Sequence, residues 1–303
     1  MSQPPRILVM GAINQDEVAR VHTHPAPGET VVTNSIDFFP GGKGANQAVA
    51  AATAGFDVRV QMLGAVGEDV AGDVQLAALL SAGVDASLVR RVIGTPTGRA
   101  YITVSHDGQN SIVVGLGANA FVSQVNLNGA TVPEVVIAQT ELGSAPIEAL
   151  AQYARDVGAR LVVNDAPVVQ LSSRALMAAD PLVVNEFEAR DLLGRHGADS
   201  PGLPPEQVVA RLHQVTSSRS VIVTLGEKGS VVSDDDGIRL LPAVAALTVV
   251  DTTGAGDIFV GSLAAALAVG HGMDDAVRHA TAAASAAVSW RGARTPEQSP
   301  AAT

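Results

Sequence analysis

A glycine-rich segment in the last third of the chain carries the clearest chemical signal. It reads DTTGAGDIFVG over Asp251–Gly261 and continues into an alanine-rich apolar stretch. Small residues at the start of a helix leave backbone N–H groups accessible, and these groups together with the helix dipole favour an anion. An ionised Asp257 in that first turn could accept a hydroxyl proton during phosphoryl transfer. Taken alone, the segment is more typical of a capped helix whose glycines only turn the chain.

A second glycine-rich segment, GGKGANQA over Gly41–Ala48, also leads into a helical pattern. Its glycines permit close approach of the backbone to a small polar ligand, while Lys43 and Asn46 supply hydrogen-bond donors. It is not a Walker nucleotide-binding loop, because glycine rather than serine or threonine follows Lys43. Without further support, a tight turn between a strand and a helix is the commoner explanation.

Short β-branched runs alternate with helical patterns along most of the chain. Because these runs are apolar throughout, they predict a parallel sheet with helices on both faces. Such sheets bind ligands at the carboxyl ends of their strands. We predict strands at Ile7–Met10, Val58–Leu63, Val135–Gln139, Leu161–Asn164, Leu182–Asn185 and Val221–Leu225, and helices at Ala45–Ala54, Val74–Ala82, Ile147–Val157 and Glu206–Val215.

Two stretches interrupt this alternation. Residues 18–39 are polar and extended, and residues 99–114 contain two alternating runs around His106–Gln109, a pattern typical of a hairpin. They predict a small antiparallel sheet outside the main fold, and plain surface loops are the alternative. We therefore expect a lid formed by residues 13–39 and 97–115, and a core formed by residues 1–12, 40–96 and 116–303.

Composition narrows the class of protein. The 303 residues include 19 basic and 30 acidic side chains, a formal net charge of −11, and 47% of them are hydrophobic. This apolar fraction excludes intrinsic disorder, and the lack of cysteine excludes disulfides, thiolate catalysis, zinc–thiolate sites and iron–sulfur clusters. The acidic balance argues against nucleic acid or an anionic membrane as partner. No targeting segment is visible and no apolar stretch reaches the roughly 20 residues of a membrane span, so we expect a soluble cytoplasmic protein.

The two glycine-rich segments, in this order and about two hundred residues apart, resemble the two signatures of the ribokinase family of PfkB-type carbohydrate kinases. An upstream Asn14-x-Asp16 pair resembles the ribose-specific branch more than the fructose or adenosine branches. The resemblance implies an α/β fold, a three-layer sandwich with a central, mostly parallel sheet and a small β-sheet lid. It extends over nearly the whole chain through GAINQD (11–16), PGET (27–30), GAN (117–119), QTE (139–141), NEFE (185–188) and TLGEKG (224–229).

The resemblance also implies roles for individual residues. Asp257 would be the catalytic base for the terminal hydroxyl of the sugar, and the backbone N–H groups of Gly254, Ala255 and Gly256 would form an anion hole for the transferring phosphoryl group. Out of this context, Asn14 and Asp16 are typical of a strand-end turn and Glu141 of a helix cap. The residues implied to hold the sugar hydroxyls are Asn14, Asp16, Gly42, Lys43, Asn46 and Glu141.

Nucleotide and metal ligands are implied in the same way. ATP would be bound by Asn185, Thr224, Gly226, Lys228 and Gly229. Glu188, three residues after Asn185, would position Mg²⁺ through water, and one carboxylate suffices because Mg²⁺ keeps several waters. An ordinary helix start is the alternative for this pair. A K⁺ ion would be held by carbonyl oxygens, which suit that ion, from Asp251, Thr253, Ala287, Trp290 and Gly292.

The chain departs from the family pattern at two places. After Gly292 and Ala293 it continues Arg294-Thr295-Pro296, where relatives place a serine that closes the cation site, so activation by K⁺ stays open. At residues 164–167 it has Asn-Asp-Ala-Pro where relatives have NPAP.

These observations lead to an expected function. We expect an ATP-dependent kinase that phosphorylates the 5-hydroxyl of D-ribose and forms a homodimer through its lid. A sibling kinase for 2-deoxyribose, fructose, ketodeoxygluconate or a nucleoside is the alternative, although an aromatic content of 3% disfavours a nucleoside. A non-catalytic sugar-binding protein is disfavoured by the intact Asp257. A dinucleotide-dependent dehydrogenase is disfavoured more strongly, because no G-x-G-x-x-G follows the first strand.

Overall fold

The chain folds into two β-sheets of unequal size, and helices flank the larger one. The computed structural model describes residues 3–122, 127, 129–198, 201–244, 246, 248–290 and 292–294. The strands are β1 (Arg6–Met10), β2 (Asn14–Arg20), β3 (Ile36–Gly41), β4 (Arg59–Gly67), β5 (Asp85–Val92), β6 (Gly98–Val104), β7 (Asn110–Gly115), β8 (Val135–Gln139), β9 (Arg160–Asn164), β10 (Ala179–Asn185), β11 (Val221–Thr224), β12 (Ser230–Asp234) and β13 (Gly237–Leu241). The helices are α1 (Lys43–Ala52), α2 (Val70–Ser81), α3 (Ser144–Val157), α4 (Ser173–Ala178), α5 (Glu186–Arg195), α6 (Pro205–Thr216), α7 (Ala255–Ala268) and α8 (Met273–Ala287).

The larger sheet has nine strands in the order β13-β12-β11-β10-β9-β8-β1-β4-β5. Neighbouring strands from β11 to β5 in this order are parallel, and β12 and β13 extend the sheet antiparallel at one edge. The prediction of a mostly parallel α/β sheet is therefore confirmed. The six predicted strands correspond to β1, β4, β8, β9, β10 and β11, and the four predicted helices to α1, α2, α3 and α6.

Apolar side chains cover both faces of this sheet. Leu8 and Val136 belong to the core on one face, and their neighbours Ile7 and Ile137 belong to the core on the other. This alternation is the period of two expected for a strand buried on both sides. Helices α3 to α6 pack on the first face, and α1, α7 and α8 pack on the second, which gives three layers. Within the described part of the chain, no helix is long and apolar enough to span a bilayer.

The smaller sheet has four strands in the order β3-β2-β6-β7. The prediction of an antiparallel sheet is correct for β2 with β3 and for β6 with β7, but β2 and β6 pair parallel, so the sheet is mixed. The two strands are joined through the core elements between them and not by a hairpin, which permits the parallel pairing. The predicted hairpin is confirmed, since β6 and β7 pair antiparallel and Ser105 N–H donates to Gln109 O at 2.9 Å. One row of the register across the sheet consists of Phe38, Glu17, Tyr101 and Val113, and the three apolar or aromatic members of this row are exposed. The next row of the same register contains Asp16 and Phe39 and faces the opposite way.

Helices α1 and α7 approach so closely that glycine is required between them. A Cβ atom on Gly261 would lie 2.4 Å from Gln47 O, whereas one on Gly194 in α5 would meet nothing within 4 Å. We expect Gly261→Ala to lower the free energy of unfolding by about 1–3 kcal/mol through overpacking. Gly194→Ala, the matched control, should raise it by about 0.5–1 kcal/mol, because alanine loses less backbone entropy in a helix. Urea unfolding measures both, and equal stabilities would contradict the close packing.

Candidate active site

Polar side chains lie at the carboxyl ends of five neighbouring parallel strands, and four of them were predicted as site residues. Asn14 lies just beyond β1, Glu141 lies just beyond β8, and Asn164, Asn185 and Thr224 end β9, β10 and β11. These five strands are consecutive in the sheet. At roughly 4.8 Å per strand, the row extends over about 19 Å, which is enough for an elongated ligand.

The side chain of Asn14 is held by contacts within the protein. Its side chain is 2% exposed, and its Oδ1 accepts a hydrogen bond from Asn119 Nδ2 at 2.8 Å. Asn119 is held in turn by the backbone of Ile13, whose N–H donates to Oδ1 at 3.0 Å and whose carbonyl accepts from Nδ2 at 3.1 Å. Sequence reasoning gave Asn119 no role, although it lies in the quoted GAN segment. The orientation of Asn14 therefore depends on a contact between residues more than a hundred positions apart.

The carboxylate of Asp16 lies directly against the backbone of β3. A Cβ atom on Gly41 would lie 2.1 Å from Asp16 Oδ1, so only glycine leaves room for this carboxylate. Gly41 is the Cα partner of Asn14 in the antiparallel pairing of β2 with β3. The first glycine of the GGKGANQA segment is thus required by Asp16.

The turn into α1 brings the GGKGANQA segment against two strand ends. Gly42 has φ = 85° and caps the helix, and a Cβ there would lie 2.6 Å from Ala12 O. Lys43 N–H donates to Glu141 Oε2 at 2.9 Å, which links the start of α1 to the segment after β8. Gly42 is therefore required because another part of the protein's own backbone passes too close to admit a Cβ atom. The bond from Lys43 N–H places the Glu141 carboxylate at the first residue of α1.

Asp257 is buried and held by two amide side chains. It is the third residue of α7, it is 6% exposed, and its Oδ2 accepts from Asn46 Nδ2 at 3.0 Å. Its Oδ1 accepts from Gln47 Nε2 at 2.9 Å. Gly254 caps the helix with φ = 77°, and Gly256 faces open space, since a Cβ there would meet nothing within 4 Å. A fixed carboxylate and an open glycine therefore share the first turn of one helix.

A buried amide network connects Asp257 to the strand ends. Gln47 Oε1 accepts from Gln139 Nε2 at 2.6 Å, and Gln47 Nε2 also donates to Asn164 Oδ1 at 3.0 Å. Asn164 Nδ2 donates to Val183 O at 3.1 Å. Sequence reasoning missed these residues, although Gln47 lies inside the second glycine-rich segment. The network fixes the catalytic candidate relative to β8, β9 and β10.

The charged groups of the site act strongly on one another. The pKa of Asp16 is raised to about 7, chiefly by burial and also by Glu141 and Asp257, and Arg294 and Lys43 oppose the shift. Burial also raises the pKa of the Glu141 carboxyl. The pKa of Lys43 is raised chiefly by Asp257, against the opposing effect of burial. Lys43 therefore stays protonated among four carboxylates, those of Asp16, Glu141, Glu188 and Asp257.

Arg294 is a site residue that sequence analysis treated only as a departure. It is 2% exposed, and its Nε–H donates to Asn46 Oδ1 at 3.0 Å. Burial lowers its pKa to about 10, while Asp16 and Asp257 oppose that shift. A Cβ on Gly254 would lie 2.4 Å from Ala293 Cα, so the segment that carries Arg294 packs directly against the start of α7.

Asn185 and Glu188 form a capping box at the start of α5. Asn185 Oδ1 accepts from Glu188 N–H at 2.8 Å, and Glu188 Oε2 accepts from Asn185 N–H at 2.8 Å. The alternative that Asn185 and Glu188 mark an ordinary helix start is therefore confirmed, since both side chains bind backbone N–H groups there. Burial raises the pKa of Glu188 and Asp257 adds to this effect, so a nearby cation would stabilise its ionised form. The side chain thus fits a magnesium role as well as the cap.

The predicted nucleotide loop follows β11 directly. Thr224 ends the strand, residues 226–228 form a short 3-10 helix, and Leu225 N–H donates to Gly229 O at 2.8 Å. Gly229 has φ = 99°, and a Cβ there would lie 2.1 Å from Leu241 O. Because β10 and β11 are neighbours and Asn185 pairs with Thr224, this loop begins next to Asn185.

The two segments predicted to hold a monovalent cation are tied together by Asp251. Its Oδ1 accepts from Thr253 N–H at 2.9 Å and its Oδ2 accepts from Gly292 N–H at 3.1 Å. Val250 N–H and Asp251 N–H both donate to Val288 O, at 2.7 and 3.2 Å. Ala287 ends α8, and Trp290 lies between it and Gly292. Carbonyl oxygens from both segments thus lie in one region and are the donor class that suits K⁺.

Asp165 lies in the Asn-Asp-Ala-Pro segment that departs from the family pattern, and it is buried with one carboxylate oxygen that lacks a hydrogen bond within the described part of the chain. Its Oδ1 accepts from Val169 N–H at 3.0 Å, and among the described residues its Oδ2 has no hydrogen-bond partner. Burial raises its pKa to about 6 from an ordinary value of 3.8. The folded protein therefore binds this proton more tightly than the unfolded chain, and stability is lost as the pH rises through about 4 to 6.

We expect Asp165→Asn to raise the free energy of unfolding at pH 7.5 by about 1–2 kcal/mol, because asparagine carries no charge to bury and keeps an acceptor for Val169. The gain should shrink as the pH approaches 5. Urea unfolding at several pH values measures this difference. A gain that does not depend on pH would contradict the buried ionised carboxylate.

Comparison with known proteins decides the family. A model of the pfkB family carbohydrate kinases matches residues 4–300. The chain belongs to the pfkB family of carbohydrate kinases. It is 34% identical over 295 residues to a ribokinase from Haemophilus influenzae, an alignment that covers 95% of this chain and 94% of that relative. The family resemblance in the sequence is therefore confirmed.

Solved structures agree with this assignment to the pfkB family. A ribokinase from Thermotoga maritima superimposes with a TM-score of 0.84 at 31% identity, covering 97% of this chain and 95% of that one. An Arabidopsis thaliana ribokinase complexed with ribose and ATP gives a TM-score of 0.81 at 30% identity, covering 96% and 94%. The predicted fold, including the smaller sheet, is that of these pfkB-family structures.

Proposed function

We propose that this pfkB-family protein transfers the γ-phosphoryl group of ATP to the 5-hydroxyl of D-ribose. The observation that carries the proposal is Asp257, whose carboxylate is buried and held by Asn46 and Gln47. It lies one residue from Gly256, which faces open space at a helix start. A base beside an anion site is the arrangement that phosphoryl transfer to a hydroxyl requires. The similarity to ribokinases, one of them complexed with ribose and ATP, supports the choice of substrates.

The sugar would lie between the starts of β2 and α1. Asp16 and Glu141 offer carboxylate oxygens that accept hydrogen bonds from hydroxyls, while Lys43 and Asn46 offer donors. Gly42 lets the backbone turn pass close to the ligand, and Asn14 is already oriented by Asn119. A polyol is well matched by such a set, because each hydroxyl can donate to a carboxylate and accept from an amine or amide.

In the reaction, Asp257 accepts the proton of the 5-hydroxyl as that oxygen attacks the γ-phosphorus. The bond between the γ-phosphorus and the bridging oxygen breaks, and ADP leaves with its electron pair. Backbone N–H groups of Gly254, Ala255 and Gly256 stabilise the charge on the transferring phosphoryl oxygens. In this structure Ala255 N–H donates to Thr252 O at 3.3 Å, so this long bond would be exchanged for one to phosphate.

The nucleotide would extend along the ends of β10 and β11. The triphosphate would lie near Asn185 and Thr224, and the loop that contains Gly226, Lys228 and Gly229 would hold the rest of ATP. Mg²⁺, when bound with ATP, neutralises phosphate charge, and Glu188 would hold it through water. Carbonyl oxygens of Asp251, Thr253, Ala287, Trp290 and Gly292 would hold K⁺ beside the anion hole. Since ATP is an intracellular cosubstrate, we place the reaction in the cytoplasm.

The smaller sheet would act as a lid and as a dimer contact. In this proposal the lid comprises residues 13–39 and 97–115, and the core would comprise residues 1–12, 40–96 and 116–303. The row of the smaller sheet that contains Asp16 and Phe39 would face the sugar. The position of this sheet would therefore determine how the sugar is enclosed. Its outer row exposes Phe38, Tyr101 and Val113, and two such faces packed together in a homodimer would remove this apolar surface from water.

The test is ADP release with Mg-ATP across D-ribose, 2-deoxyribose, fructose, ketodeoxygluconate and adenosine, each with and without K⁺. We expect the highest kcat/KM with D-ribose and a rise with K⁺. Faster turnover of another compound would overturn the choice of sugar and leave the kinase assignment in place. An absence of ADP release with every compound would overturn the proposed function.

A further inference from the structure

Arg294 is the buried side chain whose presence the proposed mechanism does not explain. Taking a guanidinium out of water is costly unless the charge meets partners. Its Nε–H is bonded to Asn46, but both terminal amino groups are buried without a hydrogen-bond partner among the described residues. A guanidinium buried with two unpaired amino groups lowers the stability of the fold. We therefore look for its role in the function of the site.

We propose that Arg294 is a positioning residue of this kinase, which orients the Asn46 amide toward the catalytic carboxylate and keeps a fixed positive charge beside the sugar-binding Asp16. The inference deepens the proposed function and rests on it. It concerns this chain in particular, because Arg294 lies where the sequence departs from the family pattern.

The first part of the proposal follows from the direction of two hydrogen bonds. An amide has one acceptor end and one donor end, and Arg294 can only donate. Its Nε–H donates to Asn46 Oδ1 at 3.0 Å, which leaves Nδ2 to donate to Asp257 Oδ2 at 3.0 Å. A flipped amide would place its oxygen against the carboxylate and its NH₂ group against the guanidinium. Arg294 therefore selects the orientation in which Asn46 supports the base.

The second part follows from the charges around Asp16. Two carboxylates, Glu141 and Asp257, act against its ionisation, and two cations, Lys43 and Arg294, favour it. A carboxylate accepts hydrogen bonds from two sugar hydroxyls, whereas its protonated form presents one donor and fewer acceptor sites. Removing the charge of Arg294 would leave one cation against two carboxylates. The ionised form of Asp16 would then be populated only at higher pH.

The segment that carries Arg294 is also coupled to the anion hole. Ala293 packs on Gly254, the residue that caps α7. The same short segment thus touches the start of the catalytic helix and the amide that supports its carboxylate. A displaced Arg294 would disturb both contacts together.

Three variants separate the two roles. Arg294→Gln keeps a donor for Asn46 and removes the charge, Arg294→Lys keeps the charge and loses the planar donor, and Arg294→Met removes both. Arg278→Gln on the exposed face of α8 is the matched control. For each variant we would measure kcat, KM for D-ribose and for ATP, the pH profile of kcat/KM, and the melting temperature.

For Arg294→Gln we expect KM for ribose to rise about tenfold, KM for ATP to stay within about twofold, and the acidic limb of the profile to move up by roughly 0.5–1 pH unit. Arg294→Lys should keep the wild-type profile and lose kcat by about threefold to tenfold, and Arg294→Met should show both effects. Variants that lose melting temperature alone, with the wild-type KM and pH profile, would overturn the positioning role.

A second measurement does not depend on turnover. ¹³C NMR titration of the Asp16 carboxyl in the wild type and in Arg294→Gln reports its pKa directly. A higher pKa in the variant supports the proposal, and an unchanged value overturns its electrostatic part. If the wild type phosphorylates no sugar, the proposed function fails, and this titration still decides whether Arg294 acts on Asp16.

Discussion

Replacing Asp257 by asparagine is expected to lower kcat by about 10³-fold, within a range of roughly 10²–10⁴, while KM for ribose and for ATP changes little. Asparagine has nearly the same size and can still accept one hydrogen bond from Asn46 or Gln47. It cannot take the proton of the 5-hydroxyl, so the loss falls on the chemical step. Steady-state kinetics with D-ribose and Mg-ATP measure the change.

Asp275→Asn is the matched control for this variant. Asp275 is likewise the third residue of a helix, α8, but it lies on the surface and forms an ion pair with the exposed Arg278. We expect wild-type kcat in this control, which separates the loss of a base from the loss of a charge in a helix first turn. A kcat for Asp257→Asn within about threefold of the wild type would remove Asp257 from the mechanism.

Replacing Asp16 by alanine is expected to raise KM for D-ribose by about 10²-fold, because two hydrogen bonds from sugar hydroxyls to a carboxylate are lost. KM for ATP should stay nearly constant, since the nucleotide lies at β10 and β11. The variant should fold, because burying this carboxylate is itself unfavourable, as its raised pKa indicates. Calorimetric titration with ribose gives the same loss without turnover.

The control for Asp16→Ala is Asp37→Ala. Asp37 lies on β3 of the same sheet and forms a long ion pair with Arg20, in which both side chains are nearly half exposed. We expect unchanged kinetics in this control. A KM for ribose that is unaffected in Asp16→Ala would contradict the position assigned to the sugar, and a large rise in KM for ATP would contradict the assigned order of the two ligands.

In the wild type, the pKa of Asp16 near 7 adds a pH dependence to sugar binding. Ribose should bind more tightly as the pH rises from about 6 to 8, because the carboxylate form accepts both hydroxyls. The dependence should be absent in Asp16→Ala. Calorimetry over this pH range measures it, and a flat profile in the wild type would contradict the buried position of Asp16.

The strands at the centre of the sheet could be predicted from sequence because they are buried on both faces. The run VVIA at the start of β8 is apolar, and every residue of this strand is buried. Edge strands gave no such signal: β5 reads DASLVRRV and β13 reads GIRLL, with charges interspersed. Their pairing depends on the neighbouring strand in the sheet, and that neighbour is not encoded locally.

The site was predictable where short motifs carry the chemistry themselves. Asp257 and the residues around Lys43 lie in glycine-rich segments whose spacing is visible in one sequence. The residues that support them were not visible, because their partners are distant along the chain. Asn119 bonds Asn14 across 105 positions, and Arg294 bonds Asn46 across 248. The hydrogen-bond partner of a polar loop residue is determined by the tertiary fold and cannot be identified from the neighbouring sequence.

The identity of the reaction product tests most directly whether the 5-hydroxyl of ribose receives the phosphoryl group. Incubation with D-ribose and Mg-ATP, followed by ³¹P and ¹H NMR of the purified sugar phosphate, identifies the oxygen that receives the phosphoryl group. We predict a single phosphate monoester whose phosphorus couples to the two C5 protons, formed in equal amount with ADP. A phosphate on C1, or ADP formed without any sugar phosphate, would contradict the arrangement in which Asp257 activates the 5-hydroxyl.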